Sequence, residues 1–312
     1  MHKTLRKRYI MKRYSQEIRF LLTQRCTYNC DFCHREGLYS KKSELLDVED
    51  INFIFNTARL RLGFESTTLT GGEPLVREDI IEITKRLYEN LGKITITTNG
   101  FLLEEKIHIG NYVDRVNVSI HSLDEKNYEA LHGRKNVFHQ VLYGLRKFRD
   151  RFPKLDIRIN TALIKGINSD QKSINALLSF AIKLNASIKF IEIYPSTSDK
   201  FVSINELEEL LLKQNFTPIV STTRKKNYYN GIIEVGLTKI FCATINMQPS
   251  PENFCAQNND LFISPDGTIK PCRHRANEID ILSVTKERNV DGLHEKLLLA
   301  YSVLKDGCNI LP

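Results

Sequence analysis

The chain reads as an α/β protein built on a parallel sheet curled into a partial (β/α)6 barrel of the TIM-like kind, with a small α+β extension at its C-terminal end. Three observations predict this. Through the middle of the chain, short runs rich in Val, Ile and Thr alternate with longer amphipathic runs, the pattern of parallel strands joined by outer helices. The polar segments that stand out fall directly after the strand-like runs, where β/α barrels gather their reactive groups. The length of 312 residues, 41% of them hydrophobic, suffices for one large core with an appendage. Six β/α units fit an incomplete barrel better than an open sheet with helices on both faces, although alternation by itself admits both.

Taken in order, the strand-like runs are 17–23, 66–70, 93–98, 115–121, 155–163 and 187–194. Between them lie helical patterns at 47–62, 77–90, 104–111, 124–132, 137–151 and 170–184, with 203–215 after the last strand. From about Tyr228 the pattern changes. Residues 231–237 and 260–264 read as strands, and Pro265-Asp266-Gly267 is a turn signal. This divides the chain into a basic arm (1–16), a core (17–225) and a C-terminal region (226–312).

The net charge of +8 is concentrated at the start. Lys3, Arg6, Lys7, Arg8, Lys12, Arg13 and Arg19 against Glu17 give +6 within the first 19 residues, leaving about +2 for the rest. The body is therefore not a nucleic-acid platform, and the arm reads as a solvated segment, with a flap or an anion contact as the alternative. No run approaches the ~18 apolar residues of a membrane span, and the opening residues do not resemble a signal peptide. A cytoplasmic location with no membrane partner is expected.

In such a compartment seven cysteines argue for metal binding over disulfides. Cys26, Cys30 and Cys33 sit within eight residues, just past the first strand; Cys242, Cys255, Cys272 and Cys308 form a distant second set. Iron–sulfur clusters are held by thiolates, and close spacing lets one short loop wrap a cube. Ferredoxin-like runs add a fourth nearby cysteine, which is missing here, so one iron is left for another ligand. Structural zinc sites usually present paired Cys-x2-Cys units, and only one such pair exists in this cluster.

Cys26-Thr27-Tyr28-Asn29-Cys30-Asp31-Phe32-Cys33, with an aromatic residue before the third cysteine, resembles the signature of the radical S-adenosylmethionine (SAM) superfamily. The resemblance implies a [4Fe–4S] cluster whose open iron binds the amino and carboxylate groups of SAM. Reductive cleavage then yields a 5′-deoxyadenosyl radical, with an electron from a reductant such as flavodoxin or ferredoxin. Other segments fit it. Gly71-Gly72-Glu73-Pro74 resembles the motif that holds the SAM amino group, and Thr98-Asn99 a segment lining the SAM pocket. Ser119 and Ser122 resemble a Ser-x-x-Ser-Leu-Asp stretch in which His121 replaces an acidic residue. Asn160 matches a ribose contact and Arg158 a basic position that reaches SAM or substrate, while Phe32 belongs with the SAM contacts. Arg77, His121, Glu192 and Tyr194 are the candidate substrate contacts.

Residues 17–275 resemble one branch in particular, the GTP 3′,8-cyclases of molybdenum-cofactor biosynthesis; Cys33-His34-Arg35-Glu36-Gly37 and Arg77 look like their archaeal forms. That branch carries Phe-Cys-x2-Cys-Asn-Arg-x-Arg, an Asp-Gly turn and a final cysteine. Here Phe254, Cys255 and Cys272 match, but Asn258 stands for the second cysteine, Asp260 and Phe262 for the two arginines, and Asn309-Ile310-Leu311-Pro312 for a terminal glycine pair. The resemblance implies a second, auxiliary cluster on Cys242, Cys255 and Cys272, with Cys308 as a further ligand or not. The favoured reading is a radical SAM enzyme acting on a small, nucleotide-like biosynthetic substrate. The alternatives are the cyclase itself, a maturase of ribosomally made peptides (the 16-residue arm being too short for a peptide-binding domain), and a non-enzymatic iron–sulfur sensor.

Overall fold

The computed structural model describes residues 17–38, 40–90, 92–193, 198–221, 225–239, 260–272 and 278–305. Six parallel strands form the centre in chain order: β1 (Glu17–Leu21), β2 (Ser66–Thr70), β3 (Lys93–Thr98), β4 (Arg115–Ser119), β5 (Asp156–Leu163) and β6 (Ser187–Glu192). The helices are α1 (Val48–Leu62), α2 (Ile80–Glu89), α3 (Glu125–His132), α4 (Phe138–Arg151), α5 (Gln171–Lys183) and α6 (Ile204–Lys213). The predicted helix at 104–111 is instead a run of turns ending in a 3-10 segment, Ile107–Asn111.

Period-two patterning decides which face each strand buries. In β1, Ile18 and Phe20 pack outward on the helices, as do Ile94 and Ile96 of β3 and Ile157 and Ile159 of β5. The opposite face, the concave interior, carries polar residues: Arg19, Thr68, Thr95, Asn117 and Arg158 fall in neighbouring registers. The apolar core thus lies between sheet and helices, and the inside of the curl is left for chemistry.

The C-terminal strands extend this same sheet. β9 (Glu234–Thr238) lies parallel to β6 and continues through antiparallel β8 (Lys225–Tyr229) and β7 (Thr217–Ser221). At the other edge, β10 (Leu261–Ile263) lies parallel to β1, followed by antiparallel β11 (Thr268–Lys270) and β12 (Ile279–Asp280). The division drawn at 225–226 falls at the start of β8, so core and C-terminal region share one open sheet of twelve strands among the described residues. Strands β7, β8, β11 and β12, together with α7 (Leu282–Lys286) and α8 (Val290–Lys305), have no counterpart among the elements read from the sequence. Among the described residues no helix is long and apolar enough to cross a membrane.

Asp50 fastens the C-terminal helices to the core. Asp47 and Asp50 form a capping box at the start of α1. The fully buried Asp50 carboxylate also receives Lys286 and, at 2.7 Å, Arg288. Burial alone would raise its pKa, but the hydrogen bonds from Lys286 and Arg288 hold it below the usual carboxylate range. Replacing Asp50 by Ala should therefore cost about 2 kcal/mol in urea unfolding at neutral pH, since a cap and two half-exposed ion pairs are lost together. The depressed pKa means that this contribution is complete above an unfolded value of about 4 and fades as the pH falls through the lower folded value. The gap between wild type and D50A should close on acidification.

Candidate active site

The three cysteines lie on the loop that leaves β1. Cys26 and Cys33 are exposed and Cys30 is half-buried, and all three open on a cleft of about 560 Å3 that Gln24, Arg35, Lys41 and Gly72 also line. Main-chain N–H groups point at sulfur: Tyr28 N donates to Cys26 Sγ at 3.4 Å and Arg35 N to Cys33 Sγ at 3.3 Å. Burial, followed by the neighbouring Cys33 and Cys26, pushes the Cys30 thiol up to about 12. Protein-only surroundings thus disfavour three thiolates, and a cationic iron centre would reverse that balance. Among the described residues no three His, Cys, Asp or Glu side chains converge on one ion. A cube takes one thiolate per iron, so spaced thiols on a single loop fit it.

The loop is stitched to the end of β2. Gly72 N donates to Thr23 O at 2.7 Å and Glu73 N to Arg25 O at 2.8 Å. A Cβ on Gly71 would stand 2.4 Å from Thr23 O, and one on Gly72 2.4 Å from Arg25 O. Both glycines are required by the close approach of two backbones, and Gly71 also by its φ of +131°. The two glycines thus serve the packing of the cysteine loop.

A second cavity, of about 210 Å3, lies on the concave side of the loop. It brings together Cys26, Cys30, Cys33, Phe32, Gly71, Gly72, Thr98, Asn99, Ser119, His121, Asn160 and Glu192. Asn160 Oδ1 is buried there with no hydrogen-bond partner among the described residues, a feature that a ligand hydroxyl would satisfy. Asn99 Nδ2 donates to Thr27 Oγ1 at 2.8 Å and lies 3.8 Å from Cys26 Sγ. His121 is packed edge-on by Phe32, and its Nδ1 accepts from Ala162 N at 3.0 Å. Burial, then the neighbouring His132, lowers its pKa to about 3, so it stands neutral with Nε2–H as donor. Glu192 Oε1 accepts from Ile204 N at 3.1 Å, tying the cavity to the start of α6.

Other expected residues lie elsewhere. Glu73 does not line the cavity. Its buried carboxylate accepts from Thr98 Oγ1 at 2.7 Å, Asn99 N at 2.7 Å and Leu75 N at 3.0 Å, and so joins the ends of β2 and β3. Burial pushes this carboxyl up to about 7 against the pull of those bonds. Arg77 is buried, pairs with Asp79 at 2.6 Å and donates to Leu22 O and Leu46 O. Ser122 opens the α3 turn through Asp124 N, and Pro74 starts a buried 3-10 turn. Arg158 sits two residues along β5 from Asn160, below the cavity, 3.4 Å from Ser187 Oγ. Tyr194, Cys242 and Cys255 lie outside the described residues.

Sequence reasoning missed His132, Tyr28 and Arg134. The His132 and His121 rings stack with centroids 5.4 Å apart, and both line the cavity. Nothing in the spacing of α3 marks this role; only the fold brings the end of that helix to the cysteine loop.

Replacing Glu73 by Gln should destabilise the fold by about 2 kcal/mol in urea unfolding, because an amide cannot accept from three donors and brings its own N–H groups against them. A variant as stable as wild type would show that the carboxylate does not tie these strand ends.

Known proteins resemble this chain over most of its length. The model of the radical SAM superfamily matches residues 20–177. A probable GTP 3′,8-cyclase of Pyrobaculum aerophilum is 30% identical over 291 residues, covering 89% of this chain and 90% of that protein. The protein of the same name from Thermococcus kodakarensis is 33% identical over 285 residues, covering 86% and 88%. Among solved structures, Streptococcus suis SuiB bound to its precursor peptide SuiA superposes with a TM-score of 0.69 at 18% identity, over 98% of this chain and 70% of that one. The AdoMet-bound anSMEcpe structure gives 0.57 at 13% identity, over 92% and 83%. The chain belongs to the radical SAM superfamily, whose members work with a [4Fe–4S] cluster and SAM, and within it to the GTP 3′,8-cyclase-like branch.

Proposed function

We propose that Cys26, Cys30 and Cys33 hold the cluster, that SAM lies in the cavity on the concave side of their loop, and that the substrate is a small, anionic, nucleotide-like molecule. When bound, the cluster supplies the electron that splits SAM into methionine and the 5′-deoxyadenosyl radical, which takes hydrogen from the substrate. The observation that carries this reading is the convergence of the three-thiol loop, the two glycines and the unpartnered Asn160 Oδ1 on one cavity. In it Asn160 accepts from a ribose hydroxyl, His121 donates through Nε2–H, Phe32 covers one wall, and Asn99 and Ser119 supply further polar contacts. The packed strands behind them exclude water from the reacting atoms. An acidic one-electron protein such as flavodoxin or ferredoxin is the expected reductant.

An anionic substrate is favoured by the concave face. Arg19 and Arg158 lie on it, and Lys189 shares the register row of Asn160. The cyclase reading is favoured by relatives of that name at 30–33% identity over most of the chain. It is disfavoured where this chain departs from the pattern that the resemblance to that branch implies. Phe262 pairs in register with Arg19 and its ring lies 5.9 Å from that guanidinium, while Asp260 lies within electrostatic reach of it. Two positions expected to be cationic in the cyclase are thus an aromatic ring and a carboxylate. An auxiliary cluster on Cys242, Cys255 and Cys272 is part of the proposal. Cys272, half-buried just past β11, is the one of these three among the described residues.

Anaerobically reconstituted and reduced protein should release 5′-deoxyadenosine from SAM, and Cys30→Ala should abolish the product. Asn160→Ala should weaken SAM binding about tenfold, the worth of one buried hydrogen bond. Nucleoside triphosphates should raise 5′-deoxyadenosine output above the uncoupled rate; if none does, the nucleotide-like substrate is wrong. Iron counting in a Cys255→Ala, Cys272→Ala variant decides the second cluster, whose absence would leave the iron content at the wild-type value.

A further inference from the structure

The C-terminal end of α3 supplies no thiol and belongs to none of the motifs above, yet it grips every residue between Cys26 and Cys30. Asn29 N donates to His132 O at 3.0 Å. The His132 ring packs on Tyr28 with centroids 4.7 Å apart. Arg134 Nη1 donates to Thr27 O at 3.1 Å, and its guanidinium lies 4.0 Å from the centre of the Phe101 ring. Gly133 makes the approach possible. It ends α3 at a φ of +63°, and a Cβ on it would come within 3.2 Å of Asn29 O. From the opposite side Asn99 holds Thr27 Oγ1. The segment between the first two sulfurs is therefore fixed from both flanks while Cys26 itself stays exposed.

We propose that Arg134 is a positioning residue for the three-cysteine loop: it fixes the Thr27 peptide, and through it the separation of the Cys26 and Cys30 thiols, for cluster assembly and SAM docking. The proposal rests on the cluster assignment above and goes beyond it, since neither the cysteine motif nor the SAM-contacting segments include α3. The guanidinium suits the task because one planar group can donate to a carbonyl and stack on an aromatic ring at the same time. A lysine at the same place keeps the donor and loses most of the stacking.

The test uses the full chain, reconstituted with iron and sulfide, as wild type, Arg134→Ala, Arg134→Lys and Lys126→Ala. Lys126 borders the same surface hollow and makes no hydrogen bond or ion pair with the loop among the described residues. The iron and the electron paramagnetic resonance signal that Cys30→Ala removes are the quantities followed, so that an auxiliary cluster does not enter. Iron loss to a chelator is measured well below the melting temperature of every variant. Arg134→Ala should lose this iron about tenfold faster than wild type, as outer-shell partners of metal sites commonly do when removed. It should also blunt the change that SAM makes to the resonance signal, with Arg134→Lys in between and Lys126→Ala like wild type. Retention and signal equal to wild type in Arg134→Ala, or equal losses in Arg134→Ala and Lys126→Ala, would overturn the proposal. Wild-type protein without any Cys30-dependent iron would instead overturn the cluster assignment itself.

Discussion

The site depends on two backbone hydrogen bonds. The donations from Gly72 to Thr23 and from Glu73 to Arg25 lock the loop leaving β1 onto the loop leaving β2. Neither bond can form unless residues 71 and 72 lack side chains, because a Cβ at either would sit within 2.4 Å of a carbonyl oxygen. Once the loops are joined, Glu73 is carried into the interior. There it gathers donors from β3, and Asn99 is set against Thr27 and the first sulfur. The thiol loop, the cavity beneath it and the polar strand ends follow from that join. Charge plays little part in it: the one carboxylate involved is buried and is held by neutral donors.

Much of this was legible in the chain itself. Strands β2 and β3 fall where alternation and β-branched residues put them, and the caps at Asp47, Asp124 and Asp170 announce three helices. The convergence of Cys26, Gly71, Asn99 and Ser119 was readable because each follows or ends a strand, and parallel strands bring their C-terminal ends to one rim; Asn160 reaches the same cavity from inside β5. What failed to show has a physical reason. Glu73 and Arg77 look like ligand contacts by chemistry, but which way each side chain turns is decided by tertiary partners, Thr98 and Asp79 among them. His132 and Arg134 act through a main-chain carbonyl and a guanidinium at a helix end, where sequence spacing carries no signal of what lies opposite. β7 is exposed along its whole length and lacks the half-buried alternation that betrays other strands.

The C-terminal region is better described by its two attachments than as a unit apart. One part prolongs the sheet beyond β6, the other beyond β1, and Asp50 anchors the segment after α7 to α1. Lys42 bridges Asp266 and Glu278, and Lys270 reaches Gly37 O, so the strap that follows Cys33 is held by residues flanking Cys272. The two cysteine neighbourhoods, far apart along the chain, share a mechanical connection.

The pairing of β10 with β1 also bears on how the polypeptide comes into being. During synthesis β1 can zip to β2 early, yet its other edge stays open until Leu261 has left the ribosome. Throughout that interval a strand carrying Ile18 and Phe20 beside the thiol loop presents unpaired amides to whatever is nearby. The sheet edge beside the thiol loop is thereby closed only after β10 has been made, and a nascent chain stalled before β10 would be the form most prone to aggregate and to oxidise.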